Sequence, residues 1–484
     1  MLEEDAALAV MLNAYQLQPE GLGKRVRIEQ ALRSVIGREW PAGQRLPPHR
    51  ALCQSLGVAR NTLAQAVGQL IAEGWLITGQ GQGTWAQLPP QPRLQAAADT
   101  APLSQRARSV LGKTGASPVQ SGAFTPGIPD ITHFPMRKWR QLYTSVTVPH
   151  NVLLLSYSTG GYGPLKRAIR DLLWRWRGLR CDSEQIIITE GAHNAIELCA
   201  LALADPGDRV LMDSPCYWGA RNVFTAAGLD YDMLPWHPGE GYSPRSDQGP
   251  VRIAYFTGSR HYPLNLPTSL ADKLGLCEQA RPDFIIEDDY EFSTDDPGNL
   301  VFDPDAPNQL LVGSFSKLMF PGLRLGYLVA PRPLVGALSR LRSEVSREGR
   351  MLDQAVLARF IEDGDLDHWY RRIRREYLAR QQVVHDRLSK VPGVVRISPP
   401  AAAIGLCVEL DPAVDDHALA QYLLNARLVA RPLSLACGAT DPRRGLVLGV
   451  GLISGTLLAR ESDRLATLLG RWLGEDRLQT PPKS

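Results

Sequence analysis

Apolar and polar positions follow two different rhythms along this chain, and the change of rhythm divides it. From Lys24 to Ile36 the apolar residues Ile28, Leu32, Val35 and Ile36 recur at the spacing of an amphipathic helix. Pro41-Ala42-Gly43 ends that region. Pro47-Pro48 opens a second, shorter helix through Leu56, and Gly57 stops it. A third helix runs from Arg60 to Glu73, with Leu63, Val67 and Leu70 on one face and Gly74 closing it. Trp75-Leu76-Ile77 and Thr84-Trp85-Ala86 then bracket the glycine-rich run Gly79 to Gly83, the pattern of a hairpin. Three helices and a hairpin predict a winged helix-turn-helix over 21–88.

Residues 89–122 shift to Pro, Ala, Gln, Ser and Gly, the composition of a linker, with one helical patch at Leu103–Leu111. Beyond it, short apolar runs alternate with helical patterns through 123–476. The runs are Ile186–Ile188, Val210–Met212, Val251–Phe256, Phe284–Ile286, Leu310–Val312 and Leu325–Val329. Apolar strands interleaved with helices predict an α/β fold, with a mostly parallel sheet covered on both faces.

Composition changes this picture at three points. The chain has 484 residues, 44% apolar and 21% charged, and its net charge of +3 says little by itself. Between residues 21 and 88, however, eight Lys/Arg face three acids, so the positive charge is concentrated in the predicted winged helix. That is the electrostatic footprint of a phosphate-facing module. Seven scattered cysteines without C-x-x-C spacing predict reduced thiols and no metal site. No apolar run reaches membrane-spanning length, and Met1-Leu2-Glu3-Glu4-Asp5 lacks the order of a signal peptide. A cytoplasmic protein is expected.

Two sets of residues carry candidate chemistry. At the start of the third helix, Arg60-Asn61-Thr62, with Gln65 one turn on, offer donors and acceptors opposite the apolar face, where a helix-turn-helix meets base edges. Downstream, Gly313-Ser314-Phe315-Ser316-Lys317 with Arg324 has the form of a pyridoxal phosphate anchor. The lysine amine forms a Schiff base with an aldehyde, and Ser314, Ser316 and Arg324 hold a phosphate. Asp288 is the candidate acid for the pyridine nitrogen. Tyr290, two residues on and on the same face of a continued strand, is the candidate donor to the phenolate. Gly191-Ala192-His193 opens a helix after a strand and supplies amides for phosphate, while Tyr217 is the candidate stacking partner of the ring. The cluster Arg371, Arg372, Arg374 and Arg375 reads as a solvated helix face.

These motifs carry a resemblance. Leu46-Pro47-Pro48-His49-Arg50-Ala51-Leu52, Leu56-Gly57-Val58-Ala59-Arg60-Asn61-Thr62, Glu73-Gly74-Trp75 and Gly81-Gln82-Gly83-Thr84 resemble the GntR-type winged helix. The resemblance implies contacts to operator DNA from Arg45, Arg50, Arg60 and Gly83. Phe124 to Asp130, Phe134-Pro135, Trp139-Arg140, Asp205-Pro206-Gly207-Asp208 and Glu287-Asp288-Asp289-Tyr290 resemble the aminotransferase-like domain of MocR/GabR-type regulators. That family fuses a winged helix to a fold-type I aminotransferase-like domain, a three-layer αβα unit with a smaller C-terminal α+β subdomain. The expectation is therefore a head-to-tail homodimer that binds operator DNA. It would respond to pyridoxal phosphate or an amino compound and control genes of amine, amino acid or vitamin B6 metabolism.

The sequence departs from the family pattern at several places. His49 stands where Ser or Glu is usual, and Thr78–Gln82 lacks the common basic wing residue. His193 replaces a frequent Gln, and Arg260-His261-Tyr262-Pro263 replaces a His-Gln-Tyr/Phe-Pro run. The late segment Gly445–Gly451 lacks the arginine with which many aminotransferases grip a substrate carboxylate, leaving Arg260, Arg431, Arg443 and Arg444 as substitutes. The alternative reading is an aminotransferase with an appended DNA-binding domain. The positive charge and near-complete motif of the winged helix count against it, and at most weak transamination is expected.

Overall fold

The computed structural model describes residues 4–19, 21–36, 39–79, 83–87, 103–112, 122–147, 152–156, 159–245, 249–291, 299–347 and 349–479. The chain divides into two compact units, Met1–Pro102 and Leu103–Ser484.

In the first unit, α1 (Glu4–Gln16) precedes α2 (Lys24–Val35), α3 (His49–Leu56) and α4 (Arg60–Ala72). Strands β1 (Leu76–Gly79) and β2 (Gly83–Ala86) pair antiparallel. Gly57, left-handed at φ 61°, ends α3 and sets the turn into α4. The core joins Ile28, Leu32, Leu52, Leu63, Val67 and Leu70 to Ala7 and Met11. The packed unit thus begins before residue 21. Helix α1 buries Ala7, Met11, Ala14 and Tyr15 and packs Leu8, Val10 and Leu12 against the same core, so its apolar residues fall on most sides and give no clear stripe in sequence. The hairpin also gains a third strand-like segment, for Ala86 N donates to Gln44 O and Leu46 N to Thr84 O.

The second unit is built on an eight-stranded sheet. Its strands in chain order are β3 (Ile186–Thr189), β4 (Arg209–Ser214), β5 (Asp230–His237), β6 (Gly241–Tyr242) and β7 (Ile253–Thr257). After a small hairpin of β8 (Arg260–His261) and β9 (Leu266–Pro267), it continues with β10 (Phe284–Asp289), β11 (Gln309–Ser314) and β12 (Gly326–Val329). The spatial order is β3-β12-β11-β10-β7-β4-β5-β6. Strands β11, β10, β7, β4 and β5 run parallel, whereas β12 is antiparallel to both of its neighbours. Their fully buried Ile, Val and Leu runs are what a sheet covered on both faces requires.

A second, four-stranded antiparallel sheet contains β13 (Val394–Ile397), β14 (Gly405–Leu410), β15 (Arg431–Pro432) and β16 (Arg444–Gly449), in the order β13-β14-β16-β15. The helical patch of the linker is a helix, Gln105–Leu111, and Arg106 donates from it to Ala226 O. Among the described residues, no helix is long and apolar enough to cross a membrane. No group of His, Cys, Asp or Glu among them could hold a metal ion.

Candidate functional site

The larger site is assembled at the carboxyl ends of the parallel strands, the usual crevice of an open α/β sheet. Strand β10 carries three acids in a row, Glu287, Asp288 and Asp289, all buried. Alternation sends the first and third to one side of the sheet and Asp288 to the other. Glu287 pairs with the fully buried Lys273 at 2.7 Å, and Asp289 with the buried Arg177. Among the described residues no ion pair holds Asp288. Its Oδ2 accepts a hydrogen bond from Tyr255 Oη at 2.7 Å, and its Oδ1, also buried, has no partner. Burial of a carboxyl group so placed lifts it to about 7 despite the bond from Tyr255.

Around Asp288 lies a cavity of about 340 Å³. Ala192, His193, Tyr217, Asp288, Tyr290, Ser314, Ser316, Lys317 and Arg324 all line it, so nine of the ten cofactor candidates share one space. The tenth, Gly191, borders Arg324. A Cβ on Gly191 would stand 3.6 Å from the guanidinium, and its φ of +85° lets the chain turn into helix Ala192–Leu203. Tyr290 reaches the cavity differently from the sequence expectation, because β10 ends at Asp289 and Tyr290 lies in the following turn. Lys317 Nζ donates to Gly127 O at 2.6 Å. Burial first, and then the Arg431 guanidinium, hold its amine down at about 8. Gly127 is left-handed at φ +72°, which favours glycine, and a Cβ there would stand 2.8 Å from that amine. Ser314 Oγ accepts from Ser316 N at 3.2 Å, while Ser316 Oγ is buried without a partner.

Three further wall residues stand outside the set assigned to the cofactor, and of these Trp218 was given no role by the sequence. Trp218, Tyr262 and Arg431 also line the cavity, and Tyr262 packs edge-on against both Tyr217 and Tyr290, at 5.9 and 5.8 Å between ring centres. Of the four substitute arginines, only Arg431 is there. Arg443 is buried in a pair with Asp441 at 2.6 Å and also donates to Ser214 O and Trp236 O. Arg260 donates to Asn265 O within the β8–β9 hairpin, and Arg444 to the carbonyls of Pro442 and Arg443.

Pyridoxal phosphate fits what these residues leave open. The unpartnered Asp288 Oδ1 suits a pyridinium N–H, and the depressed Lys317 amine suits an aldehyde. Ser316 Oγ, Arg324 and the start of helix Ala192–Leu203 suit a phosphate.

The first unit presents a candidate nucleic-acid surface. Arg60, Asn61 and Gln65 are exposed on α4 opposite Leu63, Val67 and Leu70, with Thr62 half-buried beside them. Arg50 is exposed on α3. Arg45 and Gly83 meet at one end of the hairpin, and a Cβ on Gly83 (φ +118°) would stand 3.1 Å from Arg45 Nε. The tip residues Gly81 and Gln82 lie outside the described residues. Acids are placed elsewhere: Glu29 pairs with Arg25 at 3.3 Å, and Glu73 with Arg33 at 2.7 Å. Among the described residues no ion pair holds Arg50 or Arg60.

Comparison with known proteins agrees with both units. Residues 24–85 match the gntR family of bacterial regulatory proteins, and residues 138–247 and 287–443 match aminotransferase class I and II. The chain is 30% identical to the probable rhizopine catabolism regulatory protein MocR of Rhizobium meliloti, over 87% of this chain and 88% of that one. It is 31% identical to the HTH-type transcriptional regulator TauR of Rhodobacter capsulatus, over 78% and 82%. It is 27% identical to the pyridoxine biosynthesis transcriptional regulator PdxR of Corynebacterium glutamicum, over 92% and 95%. In fold it is similar to the multiple substrate aminotransferase of Thermococcus profundus, with a TM-score of 0.64 at 19% identity, covering 77% of this chain and 96% of that one. Since the relatedness to MocR runs through both the gntR-type and the aminotransferase-like unit, the chain belongs to the MocR-type GntR regulators, DNA-binding transcription factors that use pyridoxal phosphate.

Proposed function

We propose that the protein is a homodimeric sensor in which occupancy of the Lys317 cavity by pyridoxal phosphate, alone or with an amino compound, sets the affinity of the winged helix for operator DNA. The observation that carries this reading is the uncompensated Asp288. A buried acid without a cation costs folding energy, and evolution has a simple remedy in the Lys273 and Arg177 pairs one residue away on either side. Leaving Asp288 exempt is reasonable if a bound ligand brings the positive charge.

In this reading Lys317 anchors the cofactor covalently, Tyr217 covers the ring and Tyr290 donates to its phenolate oxygen. Gly191, Ala192, His193, Ser314, Ser316 and Arg324 hold the phosphate. The cofactor, once bound, offers its ring as an electron sink. Asp288 keeps the ring nitrogen protonated and Tyr255 fixes which carboxylate oxygen faces it. On the DNA side, Asn61, Thr62 and Arg60 address base edges, while Arg45, Arg50 and the backbone at Gly83 follow the phosphates.

A ligand moves an equilibrium only by its differential affinity for the two states, so an effect of about 1–3 kcal/mol on operator binding is expected. Operator DNA must then alter cofactor affinity by the same factor. Titrating operator against cofactor-free and cofactor-loaded protein, with and without candidate amines, tests the reading. Equal affinities throughout would refute it.

A further inference from the structure

The linker meets the second unit at two places of unequal strength. Where it ends, Val429 N donates to Ala123 O and Gly449 N to Phe124 O, both at 2.9 Å, and Phe124 is fully buried. The other attachment is the helix Gln105–Leu111, which the chain reaches from the winged helix through residues 88–102. This linker helix sits shallowly. None of its residues is buried, Ala107 and Val110 are half-buried, and Arg106 Nη1 donates to Ala226 O at 3.3 Å.

The surface that receives it is the helix Trp218–Ala227, whose two ends have different neighbours. Tyr217, its N-cap, and Trp218, its first residue, line the cofactor cavity. This end is also tied to the turn Leu433–Ala436 after β15, for Cys216 N donates to Ala436 O at 2.8 Å and Arg221 Nη2 to Leu435 O at 2.9 Å. Ala226, whose carbonyl takes the bond from Arg106, lies in the last turn. Between the ends, Ala220, Val223 and Phe224 are packed in the core. A helix of ten residues is about 15 Å long and curves only gently, so a change in the setting of its first turn reaches its last. The shallow seat of the linker helix, with few buried apolar groups, is the kind of contact that opens at low free energy.

We propose that the seat of the linker helix on helix Trp218–Ala227 is the regulatory contact through which the cofactor cavity governs the linker. A ring placed against Tyr217 fixes the first turn of helix Trp218–Ala227, and its last turn then holds the linker helix more firmly. With the linker helix seated, the chain leaves the second unit at residue 105; with it released, at residue 123. The length of a tether sets how readily a linked module engages its site, so seating and release alter operator binding. The proposal rests on the sensor reading of the cavity given above.

The test is proteolytic first. Arg108 lies inside the linker helix and is a trypsin site, and cleavage there requires the helix to open. In full-length protein, loading with pyridoxal phosphate should slow cleavage after Arg108 roughly two- to tenfold, the range for strengthening a contact by about one hydrogen bond. In the double variant Arg106→Ala, Val110→Asp, cleavage should be fast with and without the cofactor, and Arg106→Lys alone should keep part of the wild-type difference. The same proteins are then titrated with operator DNA, with the visible band confirming that each is loaded. The ratio of operator affinities between loaded and cofactor-free protein should fall toward one in the double variant. Cleavage that is unchanged or faster on loading, or a double variant that keeps the full wild-type ratio, overturns the proposal and leaves the sensor reading intact. A wild type whose operator affinity ignores the cofactor overturns both.

Discussion

Replacing Asp288 by asparagine should make the cofactor-free protein more stable and the cofactor weaker, with a pH dependence that exposes the cause. Burial raises the carboxyl from 3.8 to about 7. Because the folded value lies above the unfolded one, the protonated form is the one the fold prefers. Its stabilising contribution is complete below about pH 4 and is lost as pH rises to about 7, then changes no further. Roughly three pH units correspond to about 4 kcal/mol of ionisation penalty at neutral pH and above. Asparagine removes that penalty but places an amide N–H where the orphaned Oδ1 stands, an unpartnered donor worth about 1–3 kcal/mol. The net expectation is a gain of about 1–3 kcal/mol in the cofactor-free protein above pH 7, shrinking and then reversing toward pH 4. Denaturant unfolding of the aminotransferase-like unit, measured for both proteins at intervals from about pH 4 to pH 8, gives the difference directly. With saturating pyridoxal phosphate the order should invert, since only the wild type can oppose the ring nitrogen with a charge. A stability difference independent of pH would refute the assignment of Asp288 as an uncompensated acid.

Two further outcomes follow from the same geometry. Lys317→Ala should lose the visible absorbance that borohydride removes, yet keep its unfolding free energy within about 1 kcal/mol, because among the described residues the amine's hydrogen bond is to Gly127 O. A borohydride-sensitive band persisting in that variant would displace the anchor from Lys317. On the DNA side, Arg50→Ala and Arg60→Ala should each weaken operator binding. A phosphate contact shows as a salt slope reduced by roughly one, and a base contact as a loss of about 1–3 kcal/mol confined to the preferred sequence. Undiminished affinity in both variants would remove α3 and the start of α4 from the interface.

What the sequence disclosed and what it concealed separate along one physical line, the distance over which a pattern must be read. Helices α2, α3 and α4 and the hairpin are legible because apolar spacing and glycine stops are local. Ser314, Ser316, Lys317 and Arg324 are legible because a single strand end and the turn after it carry them all. The first helix escaped because its apolar residues, from Ala7 to Tyr15, spread around the helix and form no clear stripe. Asp288 was singled out among the three consecutive acids, but the reason its neighbours turn away was not legible, since Lys273 and Arg177 lie 14 and 112 residues from their partners.

The late strand makes the same point more sharply. The lack of an arginine between Gly445 and Gly451 is plain in the sequence, and taken alone it suggests that grip on an anion has been lost. Strand β16, however, is an interior strand of its sheet, and Val447 is buried in an apolar cluster, so an apolar residue there preserves packing. The neighbouring β15 lies at the edge, where a charged side chain meets less of the core, and Tyr262 supplies an oxygen to accept one of its hydrogen bonds. Register, fixed by backbone pairing and not by any local motif, places Arg431 opposite Val447. Which residues stand side by side on a sheet is thus set by pairing between distant segments, which no local motif announces.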